Sequence, residues 1–123
     1  MSKALNAGDI FGNVDVVREK FEIEEWGGHI YLQTMSAEAL DVYESSVYVA
    51  DEETGKFKFD HKNATAKLIA ACAVDESGKK IFSSDTHVKE LGKKNAKVLK
   101  RIYYECQRIN KLSIAEQEDE EGK

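Results

Sequence analysis

The sequence of 123 residues lacks several features that would point to particular classes of protein. It contains no proline, and its turn signals rest on glycine instead. No apolar run reaches the roughly 18 residues that a membrane-spanning helix requires, and no N-terminal run resembles a signal peptide. These absences predict a soluble protein, without a membrane partner, that stays in the cytoplasm in which it is made.

Residues suited to catalysis or metal binding are few and scattered. Cys72 and Cys106 lie in apolar helical segments, so we expect buried free thiols, although a disulfide between them is conceivable. No Cys-x-x-Cys pair and no Cys/His ligand spacing is present. His29, His61 and His87 fall in different predicted elements, and nothing in their spacing predicts convergence. We therefore predict that the protein is not an enzyme and has no catalytic, cofactor-binding or metal-binding residues.

The charge of the chain is unevenly distributed. The formal net charge is −5, and five carboxylates with one lysine lie within residues 116–123, so the body is nearly neutral and the C terminus is acidic. A basic stretch at residues 93–101 is spread around a predicted helix and indicates a solvated face rather than a phosphate-binding patch. We predict no nucleic-acid partner.

The hydrophobic pattern predicts a β-hairpin followed by helices. Residues 17–24 and 29–34 alternate as strands do, and Gly27 and Gly28 between them supply the positive φ values of a tight turn. Ser36 is placed to cap a helix over residues 37–45. Residues 51–58 are charged and predict a mobile loop, and Phe57 and Phe59, separated by Lys58, predict a short edge strand.

The second half of the chain predicts three helices. Residues 64–74 are alanine-rich and predict a buried helix that opens into a strand near Cys72, followed by a turn at Gly78 and a short strand at residues 80–82. Ser84 or Asp85 caps a short helix that Gly92 ends in the left-handed conformation. Residues 96–110 keep one apolar face over three to four turns and form the clearest helix.

These elements predict an α+β fold, a small β-hairpin or short sheet packed against three or four helices. We expect residues 1–14 to be a flexible leader with one short turn near residues 9–11. Residues 15–112 form the single domain, and residues 113–123 form a disordered acidic tail because they lack apolar anchors.

The order of these segments resembles the tail assembly chaperone family of siphophages over residues 15–113. The similar features are a Glu-Trp-Gly-Gly turn at residues 25–28, a Thr-Met-Ser helix start at residues 34–36, the run Val-Asp-Glu-Ser-Gly-Lys-Lys-Ile-Phe at residues 74–82, and the ending Arg-Ile-Asn-Lys-Leu at residues 108–112. The chain departs from the family at Lys111, where glycine is common, and in its longer charged insertion at residues 51–61.

The resemblance implies a binding protein without chemistry. Such chaperones coat the long, aggregation-prone tape measure protein and keep it soluble, and a longer frameshifted form recruits the tail tube protein. The resemblance further implies self-association, a place in the host cell cytoplasm, and absence from the mature virion. An alternative hypothesis is a structural head–tail connector or tail terminator, which would remain in the particle. A second is a small enzyme or regulatory domain of unrelated origin.

Five aromatic residues are the candidates for partner binding: Trp26, Tyr31, Phe57, Phe59 and Tyr104. Trp26 is either an exposed anchor or the tip of the hairpin folded back on the core, and we favour the second interpretation. We predict that Tyr104, beside the apolar face of the last helix, is partly exposed. A helical client suggests binding of an amphipathic helix in a groove.

Overall fold

The computed structural model describes residues 2–112 and has the predicted α+β fold. In chain order, the elements are α1 (Ala7–Phe11), β1 (Arg18–Ile23), a 3-10 helix (Glu24–Trp26), β2 (Gly28–Gln33), α2 (Ala37–Val47), β3 (Tyr48–Ala50), β4 (Phe57–Phe59), α3 (Ala64–Cys72), β5 (Ala73–Val74), α4 (Asp85–Leu91) and α5 (Ala96–Asn110). The predicted acidic tail, residues 113–123, lies outside the described residues.

The predicted hairpin is confirmed and forms most of a three-stranded antiparallel sheet. Strands β1 and β2 pair along their whole length, and β5 adds to the other side of β2. Of the two glycines at this turn, Gly27 adopts a positive φ, of 73°, and Gly28 does not. The prediction that Gly28 does so too was wrong, because the 3-10 helix carries most of the reversal and Gly28 already begins β2.

The core lies between one face of this sheet and the two apolar helices α3 and α5. Its fully buried side chains come from all three layers: Ile23, Leu32, Leu68, Ile69, Cys72, Ile102 and Cys106. The amphipathic face predicted for α5 is confirmed, and both cysteines are buried free thiols as expected. At about 1.5–3 kcal/mol for each large apolar side chain removed from water, this cluster is the main source of stability.

Asn110, the last residue of α5, joins three parts of the fold. Its side-chain amide donates to the Cys106 carbonyl oxygen at 2.9 Å and to Cys72 Sγ at 3.4 Å. Its Oδ1 accepts from the backbone N–H of Met35 at 2.7 Å. The segment that leaves the hairpin is thereby fixed to the end of α5 and to α3.

Helix α5 ends in the left-handed conformation although no glycine is present there. Lys111 has a φ of 53°, and the backbone N–H of Leu112 donates to the Gln107 carbonyl oxygen at 2.9 Å, as in a Schellman motif. The opposite occurs at α4, where Gly92 was expected to be left-handed. Gly92 keeps a φ of −62°, so that prediction was wrong, and the helix ends through a second, overlapping turn at Lys93 and Lys94.

Strands β3 and β4 form a separate two-stranded arm. The predicted strand at Phe57–Phe59 is confirmed, whereas its partner Tyr48–Ala50 was not predicted. Helix α2 runs to Val47, two residues further than predicted, and passes directly into β3. The loop at the tip is closed by a hydrogen bond from the Asp51 backbone N–H to the Lys56 carbonyl oxygen, 2.8 Å long.

Two other short segments differ from expectation. Residues 80–82 form only an isolated bridge between Lys80 and Val74 and no strand. Within the predicted leader, α1 is a five-residue helix rather than a single turn, because the side chain of Asn6 and that of Asp9 cap each other's backbone N–H groups. None of the residues of α1 is buried.

Candidate partner-binding surface

One face of the β3–β4 arm is aromatic. In the register of the arm, Tyr48 lies opposite Phe59, and Ala50 lies opposite Phe57. Because side chains alternate between the faces of a strand, Tyr48, Phe57 and Phe59 share one face. The rings of Tyr48 and Phe59 meet edge to face with their centroids 5.5 Å apart.

The aromatic face of the arm continues onto helices α2 and α5. Tyr43, on α2, and Tyr103, on α5, lie close enough to each other for each to affect the pKa of the other. Tyr48 lies close enough to both to raise their pKa values. The ring of Tyr104 contacts that of Tyr103 edge to face at 5.9 Å. We call the resulting patch the aromatic surface; its members are Tyr43, Tyr48, Phe57, Phe59, Tyr103 and Tyr104.

The outer part of the aromatic surface is open to solvent and its inner part anchors it to the fold. Phe57 is 75% exposed, Tyr104 57% and Tyr48 43%. Phe59, Tyr43 and Tyr103 are half-buried, and the last two pack against the core. Burial, with the neighbouring tyrosines, raises the pKa of Tyr43 and of Tyr103. Both therefore stay neutral at physiological pH, and the surface presents ring faces and hydroxyl groups without charge.

The structure brings three of the five predicted residues together. Phe57, Phe59 and Tyr104 lie on the aromatic surface, and the predicted exposure of Tyr104 is confirmed. Tyr31 lies elsewhere, on the outer face of the sheet, where its ring contacts that of His29. The side chains that share this outer face are mostly polar: Arg18, Lys20, Glu22 and Gln33. Tyr31 is therefore separate from the aromatic surface.

Trp26 lies at the tip of the hairpin and lines a different feature. It borders an apolar groove of about 310 Å³ between the 3-10 helix and α4; the other lining residues are Phe82, His87, Glu90, Leu91 and Lys94. Trp26 is 37% exposed, so it combines a partly packed ring with an accessible edge. Its role in partner binding stays a prediction.

Sequence reasoning missed Tyr43, Tyr48 and Tyr103 as members of the site. Tyr43 falls within the helix predicted for residues 37–45 and Tyr103 within the helix predicted for residues 96–110, and both are half-buried against the core. Tyr48 stood in a segment without a clear pattern. The signal available in the sequence was the run Ser-Val-Tyr-Val-Ala at residues 46–50, whose β-branched and aromatic residues favour a strand.

Cys72 and Cys106 lie together in the core, where hydrogen bonding with Cys106 and with Asn110 lowers the pKa of the Cys72 thiol. Contact with the Cys72 thiol and burial raise the pKa of Cys106, which disfavours its nucleophilic thiolate form. Within residues 2–112 no group of three or more His, Cys, Asp or Glu residues is placed to hold a metal ion. No helix in the same part of the chain is long and apolar enough to cross a membrane.

Comparisons with models of protein families, with curated proteins and with solved structures find no match to the chain.

Proposed function

We propose that this chain is a phage tail assembly chaperone that binds the tape measure protein and keeps it soluble. The observation that supports this proposal is the aromatic surface, an uncharged patch that is open to solvent and supported by the core. The similar order of motifs along residues 15–113 supplies the identity of the client. No step of the proposed function requires a bond to be made or broken, so the proposal includes no enzymatic activity.

The aromatic surface suits reversible binding of an apolar helix face. The hydroxyl group of a tyrosine side chain is solvated when no partner is bound. When a partner covers the side chain, the ring contributes a large apolar contact area with little loss of conformational entropy. Covering the exposed part of Phe57 contributes about 3 kcal/mol at roughly 25 cal/mol per Å². A few such contacts give binding in the micromolar range after the cost of association, which is firm enough to protect a client and weak enough to release it.

The proposal extends to partners and location. The chain acts in the host cell cytoplasm during assembly and is absent from the mature virion. It self-associates, and a longer frameshifted form carries the contact with the tail tube protein.

Co-expression with the tape measure protein encoded by the same phage tests the proposal. The expected result is that the tape measure protein is soluble only when this chain is present and that the two proteins co-purify. A tape measure protein that stays insoluble and retains none of this chain contradicts the proposal. Mass spectrometry of purified particles then tests the alternative, because a head–tail connector or tail terminator is present in stoichiometric amount and a chaperone is not.

A further inference from the structure

The N-terminal segment, residues 5–14, carries apolar side chains that the fold does not cover. None of residues 2–17 is buried. Ala7, Ile10 and Phe11 of α1 lie on one face, because residues three and four positions apart fall on the same side of a helix. The large apolar side chains of the segment are each more than half exposed, and they are Leu5, Ile10, Phe11 and Val14. A short helix with an apolar face therefore stands free of its own domain.

A helix as short as α1 needs a partner to be stable. It has five residues, whereas isolated helices shorter than about 12–15 residues are marginal in water. The side chains of Asn6 and Asp9 cap each other's backbone N–H groups, which satisfies part of the first turn. Most of the stability of a short helix, however, comes from packing of its apolar face. Because no part of residues 2–112 buries that face, we look to a second molecule for its partner.

The apolar groove beside Trp26, which we call the hairpin groove, is a concave site of matching character. Its volume is about 310 Å³, and its apolar walls are formed by Trp26, Phe82 and Leu91. This volume lies at the lower end of the range for ligand-binding pockets. The groove therefore suits one aromatic side chain with an adjacent aliphatic one, such as Phe11 with Ile10.

The N-terminal segment and the hairpin groove lie at opposite ends of the hairpin. Val17 is fixed to Thr34 by two hydrogen bonds, each 2.9 Å long. From Val17 the chain runs along β1 for about 20 Å before it reaches the turn that holds Trp26. Residues 12–17 span at most about 20 Å when fully extended. The segment reaches its own groove only if all these residues stretch back along β1, whereas the segment of a second copy is free of this limit.

We infer that the N-terminal segment of one molecule docks in the hairpin groove of a second copy of this chain, with Phe11 as its main anchor. In a reciprocal exchange, each copy supplies one segment and receives one. The exposed parts of the four large apolar side chains amount to roughly 500 Å² in each segment. The two segments alone therefore bury roughly 1,000 Å² before the grooves are counted, and specific interfaces bury about 1,200–2,000 Å² in total.

This contact is separate from client binding. The segment and the hairpin groove share no residue with the aromatic surface. The inference therefore supplies a contact for the proposed self-association without depending on the identity of the client. It also leaves the aromatic surface of each copy open when two copies associate.

Trp26 is the only tryptophan of the chain, so its fluorescence reports on the hairpin groove directly. Sedimentation velocity and emission spectra are recorded for the full chain from about 1 µM to about 100 µM. We expect the mean mass to rise with concentration and the emission to shift to shorter wavelength in parallel. Phe11→Ser should weaken the association at least roughly tenfold. Val42→Ser is the matched control, because it removes an exposed apolar side chain of α2 and should change neither readout.

Mixing two variants tests whether segment and groove contact each other. Phe11→Ser keeps the groove and its tryptophan, whereas Trp26→Ser keeps the segment and has no tryptophan. Each variant alone should stay monomeric. In the mixture, the segment of Trp26→Ser should dock in the groove of Phe11→Ser, which forms mixed pairs and shifts the emission to shorter wavelength. The double variant F11S/W26S has neither part and should produce no shift. Circular dichroism verifies the fold of each variant, and if Trp26→Ser unfolds, the dilution series of wild type and Phe11→Ser decide.

Four results overturn the inference. They are a monomeric wild type at every concentration, association that Phe11→Ser leaves unchanged, emission that does not follow the mean mass, and a mixture of folded variants that does not pair. A difference in emission between wild type and Phe11→Ser that is independent of concentration also overturns it, because the segment would then fill its own groove.

The outcomes also separate this inference from the proposed function. If the chain associates through Phe11 and Trp26 but the tape measure protein is neither solubilised nor retained, the contact stands and the proposed client is wrong. If the tape measure protein is solubilised although Phe11 plays no part in association, the proposed client stands and the contact is wrong.

Discussion

Replacing Asn110 with alanine should destabilise the protein far more than loss of an ordinary asparagine side chain. The substitution removes the bonds to the Cys106 carbonyl oxygen and to Cys72 Sγ, and it leaves the backbone N–H of Met35 without its acceptor. A net contribution of about 1 kcal/mol for the carbonyl bond and about 1–2 kcal/mol for an unsatisfied, partly buried N–H gives about 2–3 kcal/mol in total.

Urea unfolding followed by circular dichroism measures this effect. With a slope of about 1.5–2 kcal/mol per molar urea, the transition midpoint of Asn110→Ala should fall by about 1–2 M. Asn95→Ala is the matched control, because Asn95 caps the other end of α5 with a single exposed bond to the Lys97 N–H and its loss costs about 1 kcal/mol. Hydrogen exchange adds a local readout, since the Met35 amide should lose protection in Asn110→Ala and keep it in Asn95→Ala.

The reasoning is refuted if Asn110→Ala shifts the midpoint no more than Asn95→Ala. It is also refuted if the Met35 amide exchanges at the same rate in both variants, because the bond to Oδ1 would then not hold that segment.

Three further predictions concern single positions. Gly78→Ala should lower the free energy of unfolding by about 1–3 kcal/mol in urea titration, because φ is +92° and a Cβ would lie 2.5 Å from the Arg18 guanidinium; an unchanged midpoint contradicts this. Lys111→Gly should raise the free energy of unfolding by about 0.5–1 kcal/mol by relieving the left-handed conformation, and a lower thermal midpoint argues against that strain. The Arg101 guanidinium lowers the pKa of Glu25 from 4.5 to about 2, so the stability advantage of wild type over Glu25→Gln should be full above pH 4.5 and disappear as the pH falls to about 2. Urea midpoints of both proteins across that range test it, and a constant difference contradicts it.

The parts of the fold that could be predicted from the sequence are those with a repeating hydrophobic pattern. The alternation in β1 and β2 and the apolar face of α5 extend over many residues, so they identify both the element and its buried side. The edge strand at Phe57–Phe59 was predicted from two aromatic residues on one face, whereas Tyr48–Ala50 is too short to show a period. The strand Tyr48–Ala50 is identified only by its pairing with Phe57–Phe59.

Backbone conformations at single positions followed local rules less well. Glycine at position 92 permits a left-handed helix end but does not require one, and the structure uses a right-handed turn there. At Lys111 the left-handed conformation forms without glycine, because the hydrogen bond to the Gln107 carbonyl oxygen and the anchoring of Asn110 offset a strain of about 1–2 kcal/mol.

The candidate site depends on tertiary contacts that no local pattern reveals. Phe57 and Tyr104 were both predicted as binding residues, but nothing in the sequence places them on one surface. They become parts of one patch because α2 passes directly into β3 and because Tyr43 meets Tyr103 across the helix interface. Trp26 and Tyr31 are also aromatic, but they lie outside the aromatic surface.

The most direct test of the central claim is the soluble fraction of the tape measure protein when it is co-expressed with different forms of this chain. The variant F57S/Y104S removes the two most exposed rings of the aromatic surface. The matched control F11S/V14S removes two apolar side chains of the N-terminal segment that are 85% and 83% exposed. All four residues are exposed, so each variant should fold as the unmodified chain does. We predict that wild type and F11S/V14S keep the tape measure protein soluble and co-purify with it, whereas F57S/Y104S leaves it in the pellet. Equal solubilisation by all three forms, or a loss confined to F11S/V14S, would contradict the claim that the aromatic surface binds the client.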